Sequence, residues 1–441
     1  GTAVNLTTVS GGTTSFGVTT LTGGLNTSSV GDITQTGAIT TGAASSIASA
    51  SGNVVLTNPN NSFFGATSLT GVDVTVAAAG SLNALIAATG NASVTAAGNL
   101  TVGGSATNLS TSSTGTTSFG VTTLTGALTT TSVGDITQTG AITTGAPSSI
   151  TSSTGDITLN NAGNSFFGAT SLSGVDVSIA ALGNLNALLA ASGNASASAT
   201  GNLTVGGTAN NLATTSGGTT SFGLTTLTGG LNTTSVGDIT QTGAITTGAP
   251  SSITSSTGDI TLTNPNNSFF GATTLTAVDV SVAAAGNLNA LVAATGDASV
   301  TAAGNLTVGG TATNLTTASG GATSFGVTTL TGALTTTSVG DITQTGAITT
   351  GAPSSITSTT GDITLTNAGN SFFGATTLSG VDVAIAAAGN LNALIAATGN
   401  ASAAASGNLT VSGTANNLAT TSGGATSFGA TTLTGGLTTT S

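Results

Sequence analysis

Between its glycines the chain alternates apolar and polar residues with a period of two. In Val72-Asp73-Val74-Thr75-Val76 the apolar side chains take every second place, and Ala92-Ser93-Val94-Thr95 and Leu100-Thr101-Val102 repeat the pattern. Such alternation sends one set of side chains inward and the other outward, which predicts half-buried β-strands. Thr, Val and Ile favour pleated surfaces. Gly-Asp, Gly-Asn and Gly-Gly pairs punctuate these runs every ~8–12 residues and supply turns. The run Asn83-Ala84-Leu85-Ile86-Ala87-Ala88 fits a short helical turn or a strand, and its length favours the strand.

The strands belong to a long tandem repeat. Ser-Phe-Gly recurs at Phe16, Phe119, Phe222, Phe325 and Phe428. Phe-Phe-Gly begins at Phe63, Phe166, Phe269 and Phe372; Gly-Asp-Ile-Thr-Gln recurs at Asp32, Asp135, Asp238 and Asp341. Val-Asp-Val recurs at Asp73, Asp176, Asp279 and Asp382. Every one of these spacings is 103 residues, without insertion or deletion. The units run approximately over 1–103, 104–206, 207–309 and 310–412, with a partial unit at 413–441. Odd and even units differ at matching places: Pro59 and Pro265 stand where Ala162 and Ala368 do, and Gly24 and Gly230 where Ala127 and Ala333 do. This marks duplication of a 206-residue pair.

Within a unit a shorter beat is set by Asp135, Asp156, Asp176 and Asn194. The expected fold is therefore all-β: one continuous parallel β-helix (β-solenoid) over residues 1–441. About 20–21 residues would form a coil and five coils a 103-residue unit, some 21 coils in all. A narrow interior suits the aliphatic side chains that dominate the apolar set. The register opens in mid-repeat at Gly1, so the chain is read as a window of a longer fibre.

Composition narrows the function. The 441 residues contain no Lys, Arg, His, Cys, Met, Trp or Tyr, and the acidic residues are 12 Asp. General acid–base catalysis near neutral pH draws on groups such as His, Glu, Lys or Cys, nucleophilic triads need His or Cys, and zinc sites need the same two residues. The expectation is no enzyme and no cofactor. A net charge of −12 without a single cationic side chain excludes phosphate neutralisation, so nucleic acid is not a partner. No apolar run is long enough for a membrane-spanning helix.

The runs Gly-Asp-Ile-Thr-Leu-Thr-Asn-Ala-Gly-Asn (361–370), Phe-Gly-Ala-Thr-Thr-Leu-Ser-Gly-Val-Asp-Val (373–383), Ala-Gly-Asn-Leu-Thr-Val (303–308) and Gly-Asp-Ile-Thr-Gln-Thr-Gly-Ala-Ile (340–348) resemble the repeats of filamentous-haemagglutinin-like giant bacterial adhesins. The resemblance covers the whole chain. It implies a right-handed β-helix exported to the cell surface by two-partner secretion, and no catalytic residue.

Four features are candidate sites. Asp238, Asp259, Asp279 and Asp297 follow one another at coil spacing. Stacked carboxylates would either cap turns or hold a weakly bound Ca²⁺ between rungs; Asn53 and Asn91 at matching places favour capping. The pairs Phe63–Phe64, Phe166–Phe167, Phe269–Phe270 and Phe372–Phe373 would send one ring outward if they lie in strands, making a fibre-contact knob about every 24 Å along the axis. At a bend, both rings would be covered. Thr-rich stretches such as Thr129–Thr131 raise ice binding, against which their irregular placement counts. Sequons at Asn99, Asn202 and Asn305 offer glycosylation. The sequence thus reads as an extracellular structural or adhesive fibre of a bacterial surface, biofilm matrix included. Its partners would be neighbouring copies, cell surfaces or polysaccharide. The alternative is a passive stalk for a terminal toxin or receptor-binding domain.

Overall fold

The alternating pattern becomes a parallel β-solenoid of about 24 turns, with no helix. The computed structural model describes all residues 1–441. They form two compact units, Gly1–Gly218 and Thr219–Ser441, each built in the same way. Most strands fall on two parallel sheets, a third sheet joins Thr2–Ala3, Thr19–Leu21, Ile39–Thr41 and Ser62–Phe63, and each strand pairs in parallel with a strand one coil later. Leu25–Ser29 and Leu128–Ser132 bury alternate residues throughout, as the period of two requires. The run that could have been helical is the strand Leu82–Ala88, with Leu82, Ala84, Ile86 and Ala88 turned inward.

The interior is mixed. Ile, Leu, Val and Ala stack in ladders, and the Ser-Phe-Gly rings of Phe119, Phe222 and Phe325 are fully buried. Hydroxyls stack inside as well. Thr111 Oγ1 donates to Thr130 Oγ1 at 3.1 Å, and Ser113 and Ser132 are bonded at 3.0 Å. These buried hydroxyls find their partners in the same column one coil away, which removes most of the cost of burying them.

The expected coil of 20–21 residues holds only in part; the average is about 18 residues per coil. Narrow coils bring Ala92 onto Leu109 and Leu82 onto Leu100. Wide coils bring Thr123 onto Thr143 and Thr143 onto Ser165. The narrow ones come from the Ala-rich stretch of each repeat, where small side chains fill less interior. The wide ones come from the stretch between Ser-Phe-Gly and Phe-Phe-Gly.

Five coils per repeat is corrected accordingly. In Gly1–Gly218 five successive registers carry Ile33 through Val54, Val74, Ala92 and Leu109 to Leu128, all on one sheet. Ile136, the repeat equivalent of Ile33, lies half a coil further on, in a strand of the other sheet. A repeat therefore winds about five and a half coils, and equivalent residues of neighbouring repeats occupy opposite faces. In Thr219–Ser441 the same holds for Ile239 and Ile342.

Candidate functional site

The turns between the sheets carry the Asx residues, and the structure stacks them. Asn53 N–H donates to Asp32 Oδ1 at 2.8 Å, Asp73 N–H to Asn53 Oδ1 at 3.0 Å, and Asn91 N–H to Asp73 Oδ1 at 2.7 Å. Asn108 Nδ2 donates to Asn91 Oδ1 at 2.8 Å, and Ala127 N–H to Asn108 Oδ1 at 2.8 Å. Each side chain thus satisfies a donor one coil on. The preceding glycine is a steric requirement, because a Cβ on Gly52 or Gly90 would run into the Asp32 or Asp73 carboxylate below. Gly-Asx is the sequence signature of an edge ladder.

Asp238, Asp259, Asp279 and Asp297 form the same ladder in Thr219–Ser441. Asp259, Asp279 and Asp297 donate their backbone N–H to the Oδ1 of the preceding Asp at 3.0, 3.0 and 2.7 Å, and Asp297 Oδ1 accepts from Asn314 Nδ2 at 2.8 Å. The carboxylates therefore act as turn caps, one per coil, and no three acidic groups converge in a metal-holding cluster. Asn99 and Asn305, singled out as sequons, also cap: their Oδ1 atoms accept from Thr116 and Ala322 N–H at 3.0 and 2.9 Å.

The Phe-Phe pairs split. Phe63 is 4% exposed and Phe64 70%; Phe166, Phe269 and Phe372 are buried, while Phe167, Phe270 and Phe373 are as exposed as Phe64. The first ring of each pair ends a two-residue strand such as Ser62–Phe63 and enters the core. The second precedes Gly65, Gly168, Gly271 or Gly374, all at φ between 76° and 79°. A left-handed turn of that kind favours glycine, and it leaves the preceding ring on the outer surface. Covering of both rings at a bend is therefore excluded. The half-coil offset puts Phe64 and Phe167 at opposite edges of their unit.

The Thr-rich faces are more regular than their sequence suggests. Outward Thr75, Ser93, Ser110, Thr129, Ser149 and Ser171 are in register on consecutive coils. Unequal coil lengths hide that column in the linear sequence.

One constellation escaped sequence reasoning. Gln35 and Asn61 pair their amides reciprocally, Nε2 to Oδ1 and Nδ2 to Oε1, both at 2.8 Å. Asn61 Oδ1 also accepts from Ile39 N–H at 2.9 Å, and Nδ2 reaches the carbonyls of Leu56 at 3.0 Å and Ala77 at 3.2 Å. Asn61 is fully buried, and Asn164, Asn267 and Asn370 repeat the arrangement with Gln138, Gln241 and Gln344. This network closes the wide coil beside Phe-Phe-Gly. Its only sequence trace is the coupling of Ile-Thr-Gln with Asn-Ser-Phe-Phe 26 residues on.

A family model described as repeats of unknown function, DUF5649, matches residues 1–70, 106–173, 209–276 and 312–379. Each match holds one Gln–Asn network and one Phe-Phe pair, and the stretches between the matches are the Ala-rich narrow coils. No curated protein and no solved structure matches the chain.

Proposed function

The chain belongs to the DUF5649 family of repeats, and we propose that it is a non-catalytic structural and adhesive fibre segment displayed outside a bacterial cell. The observation that carries this reading is the repetition of the coils. Narrow and wide coils alike are held by parallel backbone ladders and side-chain caps, the same order of coils recurs from repeat to repeat, and Asp is the only residue with a charged side chain. Such a solenoid gains stability coil by coil, which suits a part whose job is to hold distance and present a surface. A chain without Lys or Arg also offers no site to trypsin-like proteases.

Immunogold labelling of intact cells tests the reading, combined with deletion of residues 104–309. That deletion removes two repeats, hence about eleven coils, and keeps the faces in phase. Surface label, shorter filaments and weaker attachment are expected. Label confined to the cell interior contradicts the reading. Attachment that survives the deletion but disappears with a terminal domain favours the passive stalk.

A further inference from the structure

Gly1–Gly218 has a groove along one edge, with a cavity volume of about 600 Å³. Asn5, Thr7, Asn26 and Ser46 line it together with the backbone at Gly24 and Ala44. Asn5 Oδ1 accepts Gly24 N–H at 2.8 Å, and the edge continues through Ala44 to Gly65, which packs against Ala44. The exposed ring of Phe64 therefore stands one coil beyond the groove on the same edge.

The opposite edge has the same parts in another order. A groove of about 350 Å³ runs beside Asp73, Asn91 and Asn108 and is walled by Thr75, Ser93 and Ser110. That edge continues through Ala127 and Pro147 to Gly168, which lies on the Pro147 ring and follows Phe167. In Thr219–Ser441 a groove of about 560 Å³ runs beside Asp362, Asp382, Asn400 and Asn417; Phe270 stands on the same edge five coils earlier, and Phe373 on the opposite edge.

We infer that these edges bind a neutral polysaccharide, with the grooves holding the polymer and the outward phenylalanines Phe64, Phe167, Phe270 and Phe373 on the same two edges as stacking platforms for sugar rings. Four observations set the ligand class. The walls mix amides and hydroxyls with apolar side chains such as Leu25, Leu109 and Val383, which suits a ligand that carries both hydroxyl groups and C–H faces. The charge of −12 without any cation repels anionic polymers such as uronates, sulfated glycans and nucleic acids. Each platform is one isolated ring among Gly, Ala and Pro, too small for a protein interface, but its electron-rich face suits the C–H face of a pyranose. Successive coils rise by about 4.8 Å, close to the length of one sugar residue in an extended chain, so groups on each coil meet an equivalent part of the ligand.

The inference deepens the adhesive part of the proposed function and is tested without cells, so the two can fail separately. The full chain and the variant F64A/F167A/F270A/F373A are run in affinity electrophoresis through gels containing soluble β-glucan, mannan or alginate. All four rings are on the outside, so the variant should keep the wild-type melting curve. Retardation of the wild type by a neutral polymer and not by alginate is expected, with binding weaker by about tenfold or more in the variant. The inference is overturned by no retardation in either neutral gel, by equal retardation of the variant, or by retardation in alginate. It is equally overturned if removing the rings changes only self-association, or if the sole activity found is ice shaping by the in-register hydroxyl columns.

Discussion

Asn164 illustrates what single residues contribute here. Its buried amide accepts from Gln138 and from Ile142 N–H, and donates to Gln138 and to two backbone carbonyls. Asn164→Ala strands several of these partners in the interior, at roughly 1–3 kcal/mol for each group left without a bond. Amide hydrogen exchange should show fast exchange at Ile142 and its neighbours, with distant coils protected as before; a uniform change along the chain would contradict the local role. The two phenylalanines of each pair should behave oppositely. Phe63→Ser should cost roughly 3–5 kcal/mol, whereas Phe64→Ser should stay within about 0.5 kcal/mol, as read by denaturant melts. That one ring turns inward and the other outward was only one of two readings the sequence offered, because the left-handed Gly65 that leaves Phe64 outside the strand is not visible in it. The role of Asn164 was not legible, because a sequence shows Asn near Gly as a turn former and gives no sign that its amide reaches back to Gln138.

At the scale of the element, the strands were readable and the coils were not. Alternation located Val74–Ala78, Ala92–Ala96 and Leu100–Ala106. Alternation says nothing of how much chain is spent between strands. That length depends on interior filling: Ala-rich strands close early, Leu82 on Leu100 and Ala92 on Leu109, while the stretch that houses Gln138 and Asn164 closes later, Thr143 on Ser165. The Asp positions sampled mostly the wide part, so the mean came out too long. Turn chemistry is also position-specific. Gly168 combines φ +76° with a Pro147 ring directly beneath, whereas Gly80 faces open space. Gly168→Ala should destabilise by roughly 1–2 kcal/mol and Gly80→Ala by less than about 0.5 kcal/mol. Equal effects in thermal melts would mean that the left-handed turn is not needed.

At the scale of the molecule, half-integral winding explains a feature that first looked like gene history alone. If a repeat takes five and a half coils, only a pair of repeats returns a residue to the same face, and the pair is then the true structural period. Odd and even repeats keep equivalent register partners, Thr220 and Ile260 beside Ile239 and Thr323 and Ile363 beside Ile342, but present them on opposite faces, and Pro59 against Ala162 is one place where the two differ. Charge acts at the same scale. Twelve carboxylates without counter-charges hold copies apart at low ionic strength, and screening weakens that repulsion beyond a Debye length of ~10 Å at 0.1 M salt. Light scattering should therefore rise as salt increases from about 0.01 to 1 M, and a flat response would show that charge does not govern association.

The winding is open to a direct chemical test, since the chain has no cysteine of its own. Ser110 and Thr129 are register partners across one narrow-to-wide step, whereas Thr131, two positions on, is the partner that a coil of the longer, uniform length would choose. Parallel neighbours at ~4.8 Å fall within disulfide range, and positions two places out of register, at ~8 Å, do not. S110C/T129C should oxidise readily to an intramolecular disulfide, and S110C/T131C should stay reduced under the same conditions. Oxidation of S110C/T131C in place of S110C/T129C would contradict the uneven coils, and with them the placement of neighbouring repeats on opposite faces.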